Sequence, residues 1–320
     1  MNILCIYHRK DIDGWMSAAI VKKWVKQYYK NVVDIDLSKS NVFPKSPNHT
    51  YLFFQGYHYG DSLNLDFKYF DKIIVADVSL KPMTMTLLST YKAENIIDDF
   101  IWIDHHLPKI DSISKLHNES NLEMPKGNRD IKYAACENTW KTLFPKRKVP
   151  TLVEKLGMYD SWRHINTKRE LEIFHHQYGS RSLIHNYEEA YEYLEKHFKN
   201  STRLNRKIMD VGKQIYNYLK EEAKYKLDNA FVVELVDKIF LAYNENHFDP
   251  RHFGFNVNEM GYDGFISFHL ENNEWVFSMR SSTVDVSKIA GIFDGGGHKK
   301  AAGFRLSINE LNKVLQWKKN

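Results

Sequence analysis

The apolar and polar positions of the first 105 residues form short apolar runs separated by stretches with helical periodicity. Strands are predicted at NILCIYH (2–8), VVDIDL (32–37), TYLFFQGY (50–57), KIIVADV (72–78) and FIWID (100–104). A helix with one apolar face is predicted over residues 13–30, and a second over residues 82–95, which begin with the proline typical of a first helical turn. Strands that alternate with helices predict an α/β fold with a doubly wound, mostly parallel sheet.

The pattern changes after residue 105. The polar segment from about 113 to 130 predicts a loop. Further helices are predicted over residues 133–144, 149–160, 168–179, 187–198 and about 203–225. Strands are then predicted at AFVVELVD (230–237), KIFLAYN (238–244), GFISFHL (264–270) and WVFSMRS (275–281), with a hairpin turn at ENNE (271–274).

The change of pattern along the chain predicts more than one domain, and the length of 320 residues favours the same conclusion. We predict an α/β catalytic domain over residues 1–185, a helical linker over 186–226 and a smaller α+β domain over 227–320. No apolar run is long enough for a transmembrane helix, and the apolar run at the N-terminus is too short for a signal peptide. We therefore expect a cytoplasmic protein that does not bind membranes.

Cysteine content and charge narrow the function classes. Cys5 and Cys136 form neither a disulfide framework nor a zinc-knuckle spacing, and Cys5 is predicted to be a small core residue. The net charge of +5 mildly favours an anionic partner. No basic tract is longer than PKRK (145–148), so long duplex DNA is not expected. A short anionic substrate agrees with this balance.

Four segments carry acidic or imidazole side chains where a predicted strand or helix begins or ends: YHRKDIDG, KIIVADVS, WIDHHLP and LGMYDSWRH. They contribute His8, Asp11, Asp13, Asp77, Asp104, His105, His106 and Asp160. The carboxyl ends of parallel strands form the ligand-binding edge of such a sheet, so these side chains are expected to converge. Carboxylates that converge without cations would repel each other. Oxygen ligands with a minority of imidazoles suit Mn²⁺ or Mg²⁺, and we expect two ions.

Structural roles remain as alternatives. Asp13 or Asp77 could cap a following helix, and WIDHHLP could be a polar turn. Asp160 ends a predicted helix, where a carboxylate opposes the helix dipole, so a purely structural role is less favoured there. The second histidine pair, His175 and His176, lies in a predicted helix without carboxylates in register and is interpreted as structural or exposed.

The segments HRKDIDG, VADVS, WIDHH and GMYDSW resemble the four motifs of the DHH phosphoesterase superfamily, in the family's order. Residues 277–304, which contain GGGHKKAAG, resemble the DHH-associated substrate-binding domain of its RecJ- and NrnA-type members, and DIDGWMSAAI resembles the NrnB-like branch. One spacing departs from many relatives, because His8 stands three residues before Asp11 where they have four. The resemblance covers segments spread over nearly the whole chain.

This resemblance implies a role for each motif residue. One ion would bind to His8, Asp11 and Asp77, and the other to Asp13, Asp77, His105 and Asp160. His106 would face the scissile phosphate, and Asp104 would orient the neighbouring imidazoles. Phosphate or a terminal nucleotide would bind to Arg280, Gly295, Gly296, Gly297 and His298.

The function implied is a Mn²⁺-dependent phosphodiesterase or exonuclease, with Mg²⁺ as the alternative ion, that hydrolyses short oligonucleotides by two-metal in-line attack. The alternative is a phosphatase or phosphodiesterase acting on cyclic or linear dinucleotides or on phosphoadenosine phosphate. A pyrophosphatase or polyphosphatase is disfavoured by the GGGH segment, and a binding protein with a vestigial centre by the filled acidic positions. The oligomeric state, the cleavage polarity and the choice between RNA and DNA are left open.

Overall fold

The computed structural model of the protein describes residues 1–40, 42–44, 46–246, 257–311 and 316–317. The chain divides into two compact units, Met1–Lys213 and Gln214–Asn320. The division falls inside the predicted linker 186–226, within a long helical stretch. Each unit has its own sheet and its own apolar core.

Unit 1 is built on a five-stranded sheet in the order β2-β3-β1-β4-β5, with every neighbouring pair parallel. Its strands are β1 (Asn2–His8), β2 (Val32–Asp36), β3 (Thr50–Tyr57), β4 (Lys72–Ala76) and β5 (Asp99–Ile103). Its helices are α1 (Ile12–Tyr28), α2 (Pro82–Ala93), α3 (Leu107–Glu119), α4 (Ala135–Leu143), α5 (Thr151–Asp160), α6 (Glu170–Leu183) and the first part of α7 (Tyr187–Asp228).

Helices cover both faces of this sheet because successive strand residues point to opposite sides. Ile3 and Cys5 of β1 belong to a core that includes buried residues of α1 and α4. Leu4 and Ile6 belong to a second core that includes buried residues of α2. The prediction of a doubly wound parallel sheet is confirmed, and so is that of a buried Cys5.

One sequence prediction after residue 105 was wrong in part. Residues 107–119 form α3, although 113–130 was predicted to be a loop. Pro108 lies in the first turn of α3, and only Ile113 and His117 are buried, so the apolar stripe is too narrow to stand out in a polar segment. The helices predicted at 187–198 and about 203–225 are confirmed: they are the two parts of α7, which is interrupted between them at Asn200 with φ −158° and ψ 82°.

Unit 2 contains a seven-stranded sheet in the order β10-β11-β9-β8-β7-β6-β12, in which β7 and β8 pair in parallel and the other neighbours are antiparallel. Its strands are β6 (Phe231–Leu235), β7 (Lys238–Asn244), β8 (Gly264–Glu271), β9 (Glu274–Arg280), β10 (Gly296–His298), β11 (Ala301–Ser307) and β12 (Gln316–Trp317). Helix α8 (Val286–Ile292) packs beside β10 and β11. The predicted α+β character is confirmed.

The hairpin predicted at ENNE joins β8 to β9. Asn272 and Asn273 both have positive φ, 50° and 65°, as the tight turn of a two-residue hairpin requires. Within the residues that the structure describes, none of the helices has both the length and the apolar character needed to cross a membrane.

The second histidine pair, His175 and His176, lies in α6. His176 is buried, and its Nδ1 has no hydrogen-bond partner among the described residues. Burial and the nearby Lys155 lower the pKa of His176 from 6.5 to about 3. The structural interpretation of this residue agrees with its burial.

We expect His176 to weaken the fold in acid. Between pH 6.5 and about pH 3, His176 is protonated in the unfolded chain but neutral in the folded chain. The free energy of unfolding therefore falls as the pH falls through this range. Each unit of pKa difference corresponds to about 1.4 kcal/mol. His176→Leu should flatten the decline of the thermal midpoint between pH 6.5 and 4, whereas the exposed control His185→Leu should not. Parallel pH profiles for wild type and His176→Leu would contradict this.

Candidate metal centre

The first group of possible ligands lies after β1 and at the start of α1. His8 ends β1, and its Nδ1 lies 2.6 Å from Asp11 Oδ2 and 3.7 Å from Asp77 Oδ2. Asp11 is the N-cap of α1 and accepts a hydrogen bond from the Gly14 amide at 3.0 Å. Gly14 is needed for this turn, since a Cβ there would lie 2.0 Å from the His8 carbonyl oxygen. The capping role considered for Asp13 therefore belongs to Asp11.

Asp13 is buried in the first turn of α1 and is held by a second helix. Its Oδ2 accepts a hydrogen bond from the Ala135 amide at 2.9 Å, and its Oδ1 accepts one from the Cys136 amide at 2.8 Å. Both amides belong to the first turn of α4, where free N–H groups and the helix dipole favour an anion. The Asp13 carboxylate is thus fixed in place, with Oδ2 3.8 Å from His105 Nε2.

Asp77 lies between two groups of possible ligands. It follows β4 in the left-handed region, with φ 59°, a conformation that aspartate adopts more readily than most residues. Its Oδ2 is 3.7 Å from His8 Nδ1, and its Oδ1 is 3.6 Å from His105 Nε2. The two oxygens of one carboxylate therefore face different imidazoles.

His105 and Asp160 complete the second group. His105 follows β5 and is buried, and its Nε2 lies 3.4 Å from Asp160 Oδ2. Asp160 is the last residue of α5, as the sequence predicted, and is partly exposed. The acidic and imidazole atoms form three overlapping groups in which all ligand atoms lie within 4.8 Å of one another: His8, Asp11 and Asp77; Asp13, His105 and Asp160; and Asp77, His105 and His106.

Asp104 is fully buried and organises the two histidines that follow it. Its Oδ1 accepts hydrogen bonds from the His105 amide at 2.7 Å and from His106 Nδ1 at 2.7 Å, and its Oδ2 accepts one from the Ser79 hydroxyl at 2.6 Å. Burial raises the pKa of Asp104, but hydrogen bonds from His106 and Ser79 outweigh it and lower the pKa to about 2. Burial lowers the pKa of His106, but the hydrogen bond and charge of Asp104 raise it to about 9. Both shifts favour an ionised Asp104 carboxylate hydrogen-bonded to a protonated His106 ring.

The other carboxylates repel one another. Burial and the charges of Asp13, Asp11 and Asp160 hold the pKa of Asp77 well above its ordinary value. Burial and the charges of Asp13 and Asp11 do the same to the pKa of Asp160. A cation placed among these groups would favour their ionised forms.

The donor set fits divalent cations. Asp77 Oδ2 is buried, and no N–H or hydroxyl donor of the described residues satisfies it. Two ligands that each lie about 2.1 Å from one ion are separated by at most about 4.2 Å. The distances of 2.6–3.8 Å from His8 Nδ1 and His105 Nε2 to the surrounding carboxylate oxygens lie within this limit. Carboxylates with a minority of imidazoles are the donor set expected for Mn²⁺ or Mg²⁺.

The residues singled out in the C-terminal part of the chain lie in unit 2. Gly296, Gly297 and His298 form β10, and Gly295 precedes it. The register pairs His298 with Ala301 and Ala301 with Arg280, so these three residues share one face of the sheet. Arg280 Nη1 donates hydrogen bonds to Ser278 Oγ at 2.9 Å and to the Met279 carbonyl at 2.8 Å.

Three contributors to the centre were missed by the sequence analysis. Ser79 fixes Asp104, and the first turn of α4 fixes Asp13. His58 follows β3 directly and lies against His8, with 3.0 Å between His58 Nδ1 and His8 Nε2. The rule that found the other residues, a polar side chain directly after a parallel strand, would also have found His58.

Comparisons with known proteins give distant likenesses. No family model matches the chain. The uncharacterized protein R106 of Acanthamoeba polyphaga mimivirus is 22% identical over 315 residues, which are 94% of this chain and 67% of that protein.

Three solved structures also align with most of this chain. The pGpG-specific phosphodiesterase PggH from Vibrio cholerae is 12% identical with a TM-score of 0.48, covering 98% of this chain and 96% of that one. An exopolyphosphatase-related protein from Bacteroides fragilis is 13% identical with a TM-score of 0.48, covering 95% and 86%. RecJ from Thermus thermophilus in complex with Mg²⁺ is 14% identical with a TM-score of 0.34, covering 98% and 48%. All three TM-scores are below 0.5, so these likenesses support no conclusion about this chain.

Proposed function

We propose that the protein is a metal-dependent phosphodiesterase that hydrolyses short oligonucleotides, with Mn²⁺ as its preferred ion. The observation that carries this proposal is the position of Asp77, whose two oxygens face two different groups of carboxylate and imidazole atoms. One group would hold an ion with His8 and Asp11, and the other with Asp13, His105 and Asp160. Two divalent ions held in this way supply positive charge to a phosphate group and a nucleophile at neutral pH.

The residues of the chain itself would do the positioning. Asp13 is aimed by the α4 amides, and His105 is aimed by the hydrogen bond between its own amide and Asp104. His106, an imidazolium held by Asp104, would stabilise the negative charge that grows on phosphate as the ester bond breaks. Asp104 itself binds no ion in this proposal, because it belongs to none of the three groups and its oxygens accept hydrogen bonds from the His105 amide, His106 Nδ1 and the Ser79 hydroxyl.

Unit 2 would supply substrate recognition. The row His298, Ala301 and Arg280 puts an imidazole and a guanidinium on one face of the sheet, next to a glycine-rich strand whose backbone can approach an anion closely. These are groups that bind phosphate. We propose that His298 and Arg280 bind a phosphate of the substrate and that Gly295–Gly297 approach the same group.

A product time-course tests the proposal. Labelled RNA and DNA dinucleotides and longer oligonucleotides should be cleaved stepwise to mononucleotides in Mn²⁺, and EDTA should stop the reaction. Cleavage of cyclic dinucleotides or phosphoadenosine phosphate in preference would identify the substrate as one of those. Failure to cleave any phosphodiester, with pyrophosphate hydrolysed instead, would overturn the proposal.

Hydrolysis assays with two substrates of different size test the role of unit 2 in substrate recognition. A charge-assisted contact to phosphate is worth about 1.5–3 kcal/mol, so His298→Ala should raise KM for a dinucleotide about tenfold to a hundredfold. It should change the hydrolysis of bis(p-nitrophenyl) phosphate far less, since that small ester has no further phosphate for His298 and Arg280 to bind. Equal losses on both substrates would contradict the recognition role.

A further inference from the structure

His58 contacts the first group of possible ligands through His8 and is not itself a member of that group. Its Nδ1 lies 3.0 Å from His8 Nε2, and the two rings stack at 5.2 Å between centroids with an angle of 28° between their planes. His8 is the residue whose other nitrogen, Nδ1, faces Asp11 and Asp77. The hydrogen bond between the two imidazoles therefore joins the proposed metal centre to the loop after β3.

The loop after β3 is itself fixed to the loop after β1. The His58 amide donates a hydrogen bond to Asp61 Oδ2 at 2.7 Å. Asp61 also accepts two hydrogen bonds from Arg9, from Nε and from Nη2, each at 3.0 Å. The Arg9 amide in turn donates to the Tyr57 carbonyl at 3.0 Å. His58 is thus held in position by contacts that do not involve any proposed ligand.

The chemistry of imidazole assigns the direction of the hydrogen bond. A histidine that binds a cation through Nδ1 must present an unprotonated Nδ1, so its remaining proton is on Nε2. In His8 that proton points to His58 Nδ1, which must then be the acceptor and leave the His58 proton on Nε2. The opposite arrangement, in which His58 Nδ1 donates to His8 Nε2, would place a proton on His8 Nδ1 and exclude it as a ligand.

We infer that His58 is a positioning residue for the proposed metal centre: it accepts the Nε2 proton of His8 and so holds the His8 ring in the orientation and tautomer that can bind a cation. This inference rests on the proposed function, since it requires His8 to be a ligand. It adds a residue that no motif in the sequence pointed to. Loss of a hydrogen-bond partner of this kind typically weakens metal binding about tenfold to a hundredfold.

Two substitutions separate the hydrogen bond from the ring stacking. His58→Phe keeps an aromatic ring against His8 but has no acceptor, whereas His58→Asn keeps an acceptor near the position of Nδ1 and loses the ring. His49→Phe is the matched control, because His49 is an exposed histidine of unit 1 that also stacks on an aromatic ring, that of Tyr51. All variants are made in the full chain and stripped of metal before titration.

Calorimetric titration with Mn²⁺ gives the first readout. We expect His58→Phe to bind Mn²⁺ about tenfold to a hundredfold more weakly than wild type, and His58→Asn and His49→Phe to stay within about threefold. Unchanged affinity in His58→Phe would overturn the inference. Equal loss in His58→Asn and His58→Phe would also overturn it, because the ring and not the acceptor would then matter.

Imidazole ¹⁵N spectra of the protein loaded with diamagnetic Mg²⁺ give the second readout. The inference requires the proton of His8 on Nε2 and that of His58 on Nε2, and a proton on His8 Nδ1 would overturn it. The two proposals fail differently. Wild-type protein that binds Mn²⁺ but hydrolyses no phosphodiester would overturn the proposed activity and leave the role of His58 standing, whereas wild-type protein that binds no Mn²⁺ would overturn both.

Discussion

Asp77→Asn is expected to abolish phosphodiester hydrolysis, with a loss of kcat of at least about a thousandfold, since the charge stabilisation supplied by bound ions amounts to several kcal/mol. The reason is the position of Asp77, whose two oxygens face both imidazoles of the centre. Asparagine is the right substitution because, unlike alanine, it tolerates the left-handed backbone at this position, with φ 59°. Activity is measured on a dinucleotide in Mn²⁺, and binding by calorimetry.

The same variant should be more stable than wild type without metal. Burial and the charges of Asp13, Asp11 and Asp160 disfavour the ionised form of Asp77, so a neutral amide removes part of that repulsion. Mn²⁺ should raise the thermal midpoint of wild type and of the exposed control Asp98→Asn, but not that of Asp77→Asn. Turnover near the wild-type value, or an unchanged rise with Mn²⁺, would rule out Asp77 as a shared ligand.

His106→Ala is expected to lower kcat by about 10²–10³, the usual cost of losing one donor to a developing oxyanion, while leaving the Mn²⁺ affinity nearly unchanged. His106 is bound through Nδ1 to Asp104 at 2.7 Å, which keeps it charged and orders the ring. An interaction made mainly in the transition state appears in kcat more than in substrate or metal binding.

The competing possibility is that His106 is a ligand, since its ring lies in a group with Asp77 and His105. In that case calorimetry would show a loss of Mn²⁺ affinity in His106→Ala comparable to that in Asp77→Asn. Lys115→Ala serves as the control, because Lys115 is an exposed residue of α3, the helix that begins next to His106. It should match wild type in both measurements.

The sequence predicted the sheet of unit 1 well because β1, β3, β4 and β5 are largely buried and are therefore nearly uninterrupted apolar runs, whereas the edge strand β2 is more exposed and mixes apolar with acidic residues. The same runs located the acidic and imidazole residues, each of which follows a strand or lies at a helix end, and the structure brings them together. Helix α3 was missed because only Ile113 and His117 are buried along it, so its hydrophobic signal is weak.

The capping assignment shows a different limit of sequence reasoning. Asp11 and Asp13 both precede or begin α1, and side-chain type alone does not decide which of them caps it. In the structure Asp11 is the N-cap of α1, whereas the Asp13 carboxylate accepts hydrogen bonds from amides in the first turn of α4. That contact joins residues more than a hundred positions apart and involves backbone amides, which leave no trace in residue types.

The amide donors that hold Asp13 have a consequence for how this protein can change over evolution. Any residue except proline carries the same N–H, so substitutions at Ala135 and Cys136 leave the electrostatic support of Asp13 intact and are limited by packing, since both side chains are fully buried. Drift in the residue types of α4 is therefore tolerated by the centre, whereas a shift of the whole helix is not. Distant relatives could keep these two amide hydrogen bonds to the aspartate even if they have different residue types at positions 135 and 136.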